Sequence, residues 1–189
     1  MTVVDAAREY ILGECRSSRN AFGPAFFGEH LLIVREYALR LAAILDADAE
    51  IVELAAYLHD MAAIADISVI PKHHILGAGL ARSFLQEHKY PSERIERVAQ
   101  CVASHSAPVQ MGKGSPEEVC VSNADAMSQI ARPVYWLYYV FRVRQFEFEA
   151  ARTWYRQRVD SNWNQLIQPA RDMIEKEIRL ATDLLGASE

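Results

Sequence analysis

Among the residues whose side chains can bind divalent metal ions, four recur at helix positions: His30, the adjacent pair His59-Asp60, and Asp125. Each is a weak signal alone, since a single inward histidine is more often a hydrogen-bonded core residue than a ligand. Asp125 is harder to leave to chance. In the string VSNADAMSQI it stands between apolar neighbours, and an unpaired buried carboxylate is costly, so a cation is one economical partner for it. His59 and Asp60 differ by about 100° around a helix, so an ion near the helix end reaches an imidazole nitrogen and a carboxylate oxygen together. Mixed nitrogen and oxygen ligation suits Mn, Fe, Co, Ni or Zn better than Ca or a fully hydrated Mg, with Mg left open.

The elements that must position these groups read as helices, and the predicted fold class is all-α. After a break at Gly23-Pro24 and Gly28, residues 29 to 46 place His30, Val34, Tyr37 or Ala38, Leu41 and Leu45 on one apolar stripe, which turns His30 inward. A second helix over 48 to 64 starts on Asp48 as its N-cap, with Ile51, Leu54 or Ala55, Leu58 and Ala62 on one face and His59-Asp60 towards its end. ADISVIPK interrupts the pattern, and Pro71 can open the next helix through HHILGAGLARSFLQEHK. A further helix restarts at Pro91 and ends before His105, and APVQMGKGSP reads as a loop. Ser115-Pro116-Glu117-Glu118 is a helix-start signature for the helix to about 131 that carries Asp125. The chain is expected to be a single domain over 1–189, with a core at about 28–131 and a helical extension at about 132–185. In that extension, ten of the 18 aromatic residues lie between Tyr135 and Trp163, with six arginines between 132 and 158. Such a region can cover a pocket, form a homodimer surface, or simply pack.

His30, then His59-Asp60 in AAYLHDMA, then Asp125 in SNADAMSQI resemble in order and approximate spacing the H…HD…D pattern of the HD superfamily of metal-dependent phosphohydrolases, over roughly residues 28 to 131. The segments PKHHILGAGLA and VASHS look like the family's additional histidine positions. The resemblance implies that His30, His59, Asp60 and Asp125 hold a metal. It also makes His73 and His105 candidates for a second ion or for catalysis, with His74 beside them as an outer or phosphate-binding group. His73 is preferred because it stands four residues before Gly77. One or two ions are therefore expected. Many family members follow HD with Gly-Lys, whereas this chain has HDMAAIAD. Asp66 in that stretch is a candidate general base, and a solvated loop carboxylate or helix cap is the plainer reading. His88, near an exposed helix end, reads as a surface residue.

In a site of that kind the metal lowers the pKa of a bound water and neutralises developing charge, so the implied reaction is hydrolysis of a phosphoester or phosphoanhydride. Lys72, Arg82 and Lys113 lie near the histidines as candidate phosphate-binding groups, each equally readable as a surface charge. There is no GxxxxGK[ST] string for a phosphate loop. The expected partner is a small phosphorylated substrate, with a nucleotide leading. Two other classes stay open: a two-iron oxygenase on the same ligand set, and a non-catalytic module that binds a nucleotide or a partner.

Composition bounds the rest. The chain has 189 residues, 51% hydrophobic and 24% charged, the balance of a globular protein. A net charge of −5 repels a phosphate backbone, so no nucleic-acid partner is expected. Cys15, Cys101 and Cys120 show no CxxC spacing, and neither a leader pattern nor a run of about 20 apolar residues occurs. Cytoplasmic residence with no membrane contact is the expectation.

Overall fold

The structure, a computed structural model, describes residues 2–186, and every regular element among them is helical. The all-α expectation is met. α1 (Val3–Arg16) opens on a capping box in which Thr2 and Asp5 each accept from the other's amide. A π-helical turn, Phe27–Leu31, then runs into α2 (Leu32–Leu45). Gly28, expected to break the chain, lies inside this turn, and so does His30. α2 stops where Asp46 turns left-handed at φ 54°.

The single helix expected over 48–64 is two. Asp48 caps α3 (Ala49–Leu58) by accepting from the amides of Glu50 and Ile51 at 3.2 and 3.3 Å. The helix breaks at His59-Asp60, where Asp60 takes φ −101° and ψ 9°, a sparsely populated bridge conformation, before the short α4 (Met61–Ala65). The HD pair therefore occupies a kink. Asp66 caps a 3-10 turn over Ile67–Lys72 that contains Pro71, and α5 (His73–Glu87) begins after it. Pro71 thus lies inside the turn instead of opening the helix.

α6 (Ser92–Ser104) leads through a loop to α7 (Pro116–Ala131), whose Ser115–Glu118 capping box and early Pro match the predicted start. The aromatic region, expected as a helical extension, is made of α8 (Pro133–Arg142), α9 (Phe148–Gln165), α10 (Gln168–Met173) and α11 (Glu175–Leu185).

α7 runs through the middle, packed against α2, α3, α6, α9 and α11. Leu54, Leu58, Met127 and Ile130 are fully buried, each worth about 1.5–3 kcal/mol over exposure. Its buried polar groups are also satisfied. Asn123 donates to the carbonyls of Val109 and Val119 and accepts from the Ile167 amide, while Ser122 accepts from the Val109 amide. These bonds fix the loop before α7 and the start of α10. An α7 held so firmly can present Asp125 in one orientation. No helix is long and apolar enough to cross a membrane among the described residues.

Candidate metal centre

Four imidazoles and two carboxylates converge between α4, α5, α6, α7 and the π-helical turn. In each ring the nitrogen pointing away from the cluster is already engaged. Nδ1–H of His59 donates to the Ala56 carbonyl at 3.0 Å, that of His73 to Ile70 at 2.7 Å, and that of His105 to Val102 at 2.6 Å. His30 Nδ1–H donates to Ser128 Oγ at 2.8 Å, and the Ser128 hydroxyl in turn donates to the Asp125 carbonyl at 2.9 Å. A carbonyl has no proton to give, so Nδ1 carries the proton and Nε2 is left as an acceptor.

The Nε2 atoms face one another and the carboxylates. His30 Nε2 lies 3.2 Å from His59 Nε2, 3.3 Å from Asp60 Oδ2 and 3.4 Å from Asp125 Oδ1. His59 Nε2 is 3.2 Å from Asp60 Oδ2 and 4.0 Å from Asp125 Oδ1. The other Asp60 oxygen, Oδ1, is 3.3 Å from His73 Nε2 and 3.7 Å from His105 Nε2. Asp60 thus divides its two oxygens between two pairs of histidines. His30, His59, His105 and Asp125 are buried.

So many acceptors at such distances repel unless positive charge lies among them, so the donor set fits a divalent ion. In the absence of an ion, protons take its place. Burial alone would push the His59 pKa down, but the carboxylates of Asp60 and Asp125 outweigh it and raise it to about 9. Burial would raise Asp60, yet His59 and its other imidazole neighbours hold it well below the usual carboxylate range. His73 is raised for the same reason, with Asp60 overcoming its burial.

The sequence profile of the HD domain matches residues 27–130, the stretch that holds all six groups. The chain belongs to the HD domain family. No curated protein matches it in sequence. Among solved structures it is similar to Bacillus subtilis YpgQ, with TM-score 0.69 and 17% identity over 97% of this chain and 91% of that one. The complex of YpgQ with ADP gives TM-score 0.65 at 17% identity over 93% and 90%. A predicted HD superfamily hydrolase from an uncultured Thermotogales bacterium gives TM-score 0.53 at 20% identity over 89% and 91%. At these identities the likeness establishes a shared HD-type helical fold.

Within the HD fold, local packing sets the histidines. A Cβ on Gly77 would meet the His59 carbonyl at 3.2 Å and Val102 Cγ1 at 3.3 Å, so the glycine lets α5 lie close against the HD kink and α6. His73, one turn earlier on α5, reaches Asp60 through that approach. His74 does not join the converging nitrogens. Its ring lies 5.6 Å from that of His73 and 6.5 Å from that of His105, and its Nδ1 is buried without a hydrogen-bond partner among the described residues. Burial, then the neighbouring His73 and His105, lowers its pKa.

The other candidates fall elsewhere. Asp66 is exposed, accepts from the Ser68 amide as a cap, and lines a separate apolar groove with Ala62, Val69 and Leu80. Its carboxylate caps the turn and does not line the cavity at the cluster. Arg82 is held in a two-point ion pair with Glu96 at 2.9 and 3.0 Å. Lys72 and Lys113 are exposed and do not line the cavity at the cluster. His88 is exposed and donates to the Phe84 carbonyl.

That cavity, about 120 Å³, is lined by Asp60, His73, Asp125 and Gln129 together with Phe22, Trp136, Tyr139, Arg144, Trp154 and Arg158. The aromatic extension therefore walls the site. Phe26 stacks on His30 at 4.7 Å and Trp136 meets it edge-on at 5.4 Å. Gln129, not singled out from the sequence, donates to both Asp125 oxygens at 3.0 and 3.2 Å and accepts from Asn162 at 3.1 Å. Its signal was present, because positions 125 and 129 stand one helical turn apart.

Proposed function

We propose that this HD-domain protein is a metal-dependent phosphohydrolase acting on a nucleotide. The observation that carries the reading is the two-sided placement of Asp60, one oxygen towards His30 and His59 and the other towards His73 and His105. On that basis His30, His59 and Asp125 would hold one ion and His73 and His105 a second, with Asp60 contributing to both sets. Mn, Fe, Co, Ni or Zn suits this nitrogen and oxygen mixture. A bound divalent ion supplies a water of lowered pKa and neutralises charge on phosphate oxygens.

The protein's own residues do the rest. Ser128 and the carbonyls of Ala56, Ile70 and Val102 fix the imidazole tautomers, and Gln129 fixes the Asp125 carboxylate. Phe26 and Trp136 cover His30 and keep water from that side of the cluster. Support for a nucleotide comes from the aromatic lining of the cavity and from the ADP bound by YpgQ, a protein of similar fold. Three buried cysteines, all free, accord with a reducing compartment such as the cytoplasm.

The test is elemental analysis of the purified protein coupled to phosphate release from a panel of nucleotides and simple phosphoesters, with Mn, Co, Ni, Mg and Zn added separately. Bound metal and metal-dependent release are expected, with Asp60→Ala and Asp125→Ala losing metal while keeping their helical content. Wild-type metal content in either variant overturns the ligand assignment. A carboxylate shared between two ions also suits a pair of irons that activates oxygen, and copurifying iron with oxygen uptake and no phosphate release would move the reading there.

A further inference from the structure

Resting on the phosphohydrolase reading, we infer that Arg144 and Arg158 form an anion clamp at the cavity that selects substrates with at least two linked phosphates, so that the bond broken is a phosphoanhydride. Both line the same cavity as Asp60, His73 and Asp125. Arg35, Arg82, Arg94, Arg97 and Arg152 each sit against a carboxylate. Arg144 and Arg158 form no such ion pair among the described residues. They pack instead on aromatic rings, Arg144 over Phe146 at 5.1 Å and Arg158 over Trp154 at 5.3 Å.

A guanidinium resting over a ring is steadied by it while its N–H groups stay open to an acceptor, and an arginine fork can bind a phosphate at two points. In a chain of net charge −5, two cations without acidic partners beside a carboxylate cluster are placed for an anion that the cluster also engages.

α9 extends the argument beyond one phosphate. Trp154, Gln157, Arg158 and Ser161 follow the i, i+3, i+4, i+7 spacing of one helix face, and together they line a second depression that shares Trp154 and Arg158 with the cavity. The phosphate to be attacked sits against the His and Asp cluster, the next phosphate meets Arg144 and Arg158, and the remainder of the ligand follows the α9 face. Hydrolysis then joins the water oxygen to one phosphorus and breaks the bridging P–O bond. The electron pair leaves with the distal phosphate, which takes the released proton or passes it to solvent.

The test is calorimetric titration with methylenediphosphonate, which cannot be hydrolysed at its P–C–P bridge, and with inorganic phosphate. Each is run in chelator and again in excess Mn²⁺, on the wild type, Arg144→Gln and Arg158→Gln. The wild type should prefer the diphosphonate at least about tenfold under both conditions. Each variant should lose about tenfold for the diphosphonate, the factor for one charge-assisted hydrogen bond, and less than about threefold for phosphate. A wild type without the preference, or variants that retain it in full, overturns the clamp. An affinity that Mn²⁺ leaves unchanged for both anions counts against the metal reading instead, and the clamp is still judged on the preference measured in chelator.

Discussion

The Nε2 atoms of His73 and His105 lie 2.9 Å apart, while their Nδ1 atoms donate to the carbonyls of Ile70 and Val102. Two lone pairs brought that close need a positive charge near them, and Asp60 Oδ1 is placed to share it. His105→Ala removes one donor of this pair and leaves His30, His59 and Asp125 intact. Mn²⁺ content after dialysis is expected to fall from two ions per chain to one, and Asp60→Ala should lose both. Two ions retained in His105→Ala would refute the division of the cluster into two sets.

The raised pKa of His59 makes metal uptake a proton exchange. Its folded value of about 9 lies above the ordinary histidine value of 6.5, so the proton's contribution to stability is full below about 6.5 and is lost as the pH rises through about 9. An ion that takes the Nε2 lone pair at pH 7 must expel that proton. Titration of Mn²⁺ into metal-free protein in two buffers of different ionisation enthalpy should show at least one proton released per chain at pH 7, declining above pH 9. A buffer-independent heat at pH 7 would contradict the assignment.

Gln129 joins Asp125 to α9 through Asn162. Gln129→Leu leaves the carboxylate free to turn and should weaken Mn²⁺ binding by about 10- to 100-fold, as loss of an outer partner typically does. Competition with a fluorescent chelator measures it, and circular dichroism should be unchanged. Asn162→Ala, one step further out, should cost less.

That chain of contacts marks where the sequence stops being legible. His30, His59, Asp60 and Asp125 could be placed on helix faces because helical periodicity is local, whereas the preference for His73 over His74 came only through the family resemblance. The break at His59-Asp60 and the π-helical turn under His30 were not legible, because both are departures in backbone angle that an apolar stripe does not report. Arg144, Arg158 and Asn162 reach the site only through the packing of α8 and α9 on α7, which depends on contacts distant in sequence. Lys72, Arg82 and Lys113 were candidates only because they lie near the histidines in sequence, and none of them lines the cavity.

Gly77→Ala tests the close approach of α5. The added methyl meets the His59 carbonyl and Val102 within 3.3 Å, and α5 must move outward to relieve it. A destabilisation of about 1–3 kcal/mol is expected in urea unfolding of the metal-free protein. Because His73 rides on α5, the ion assigned to His73 and His105 should be lost preferentially. Unchanged stability and two bound ions would mean that the glycine contributes no necessary clearance.

Asp48 offers a test away from the metal cluster. It caps α3, and Arg94 contacts both its oxygens at 2.9 and 3.1 Å. Burial on its own would raise the Asp48 pKa, but Arg94 and the Ile51 amide outweigh it and lower it. A carboxylate lowered by folding stabilises above its unfolded pKa of about 3.9, and that contribution disappears as the pH falls through the lower folded value. Asp48→Ala, which loses the cap and the ion pair together, should cost about 1–2 kcal/mol at pH 7. Asp48→Asn can still cap the helix and lacks only the charge, so it should cost less. The gap between the wild type and Asp48→Asn, followed by urea unfolding in chelator, should narrow below about pH 4. A gap that stays constant from pH 7 to pH 3 would mean that Arg94 adds nothing to the cap.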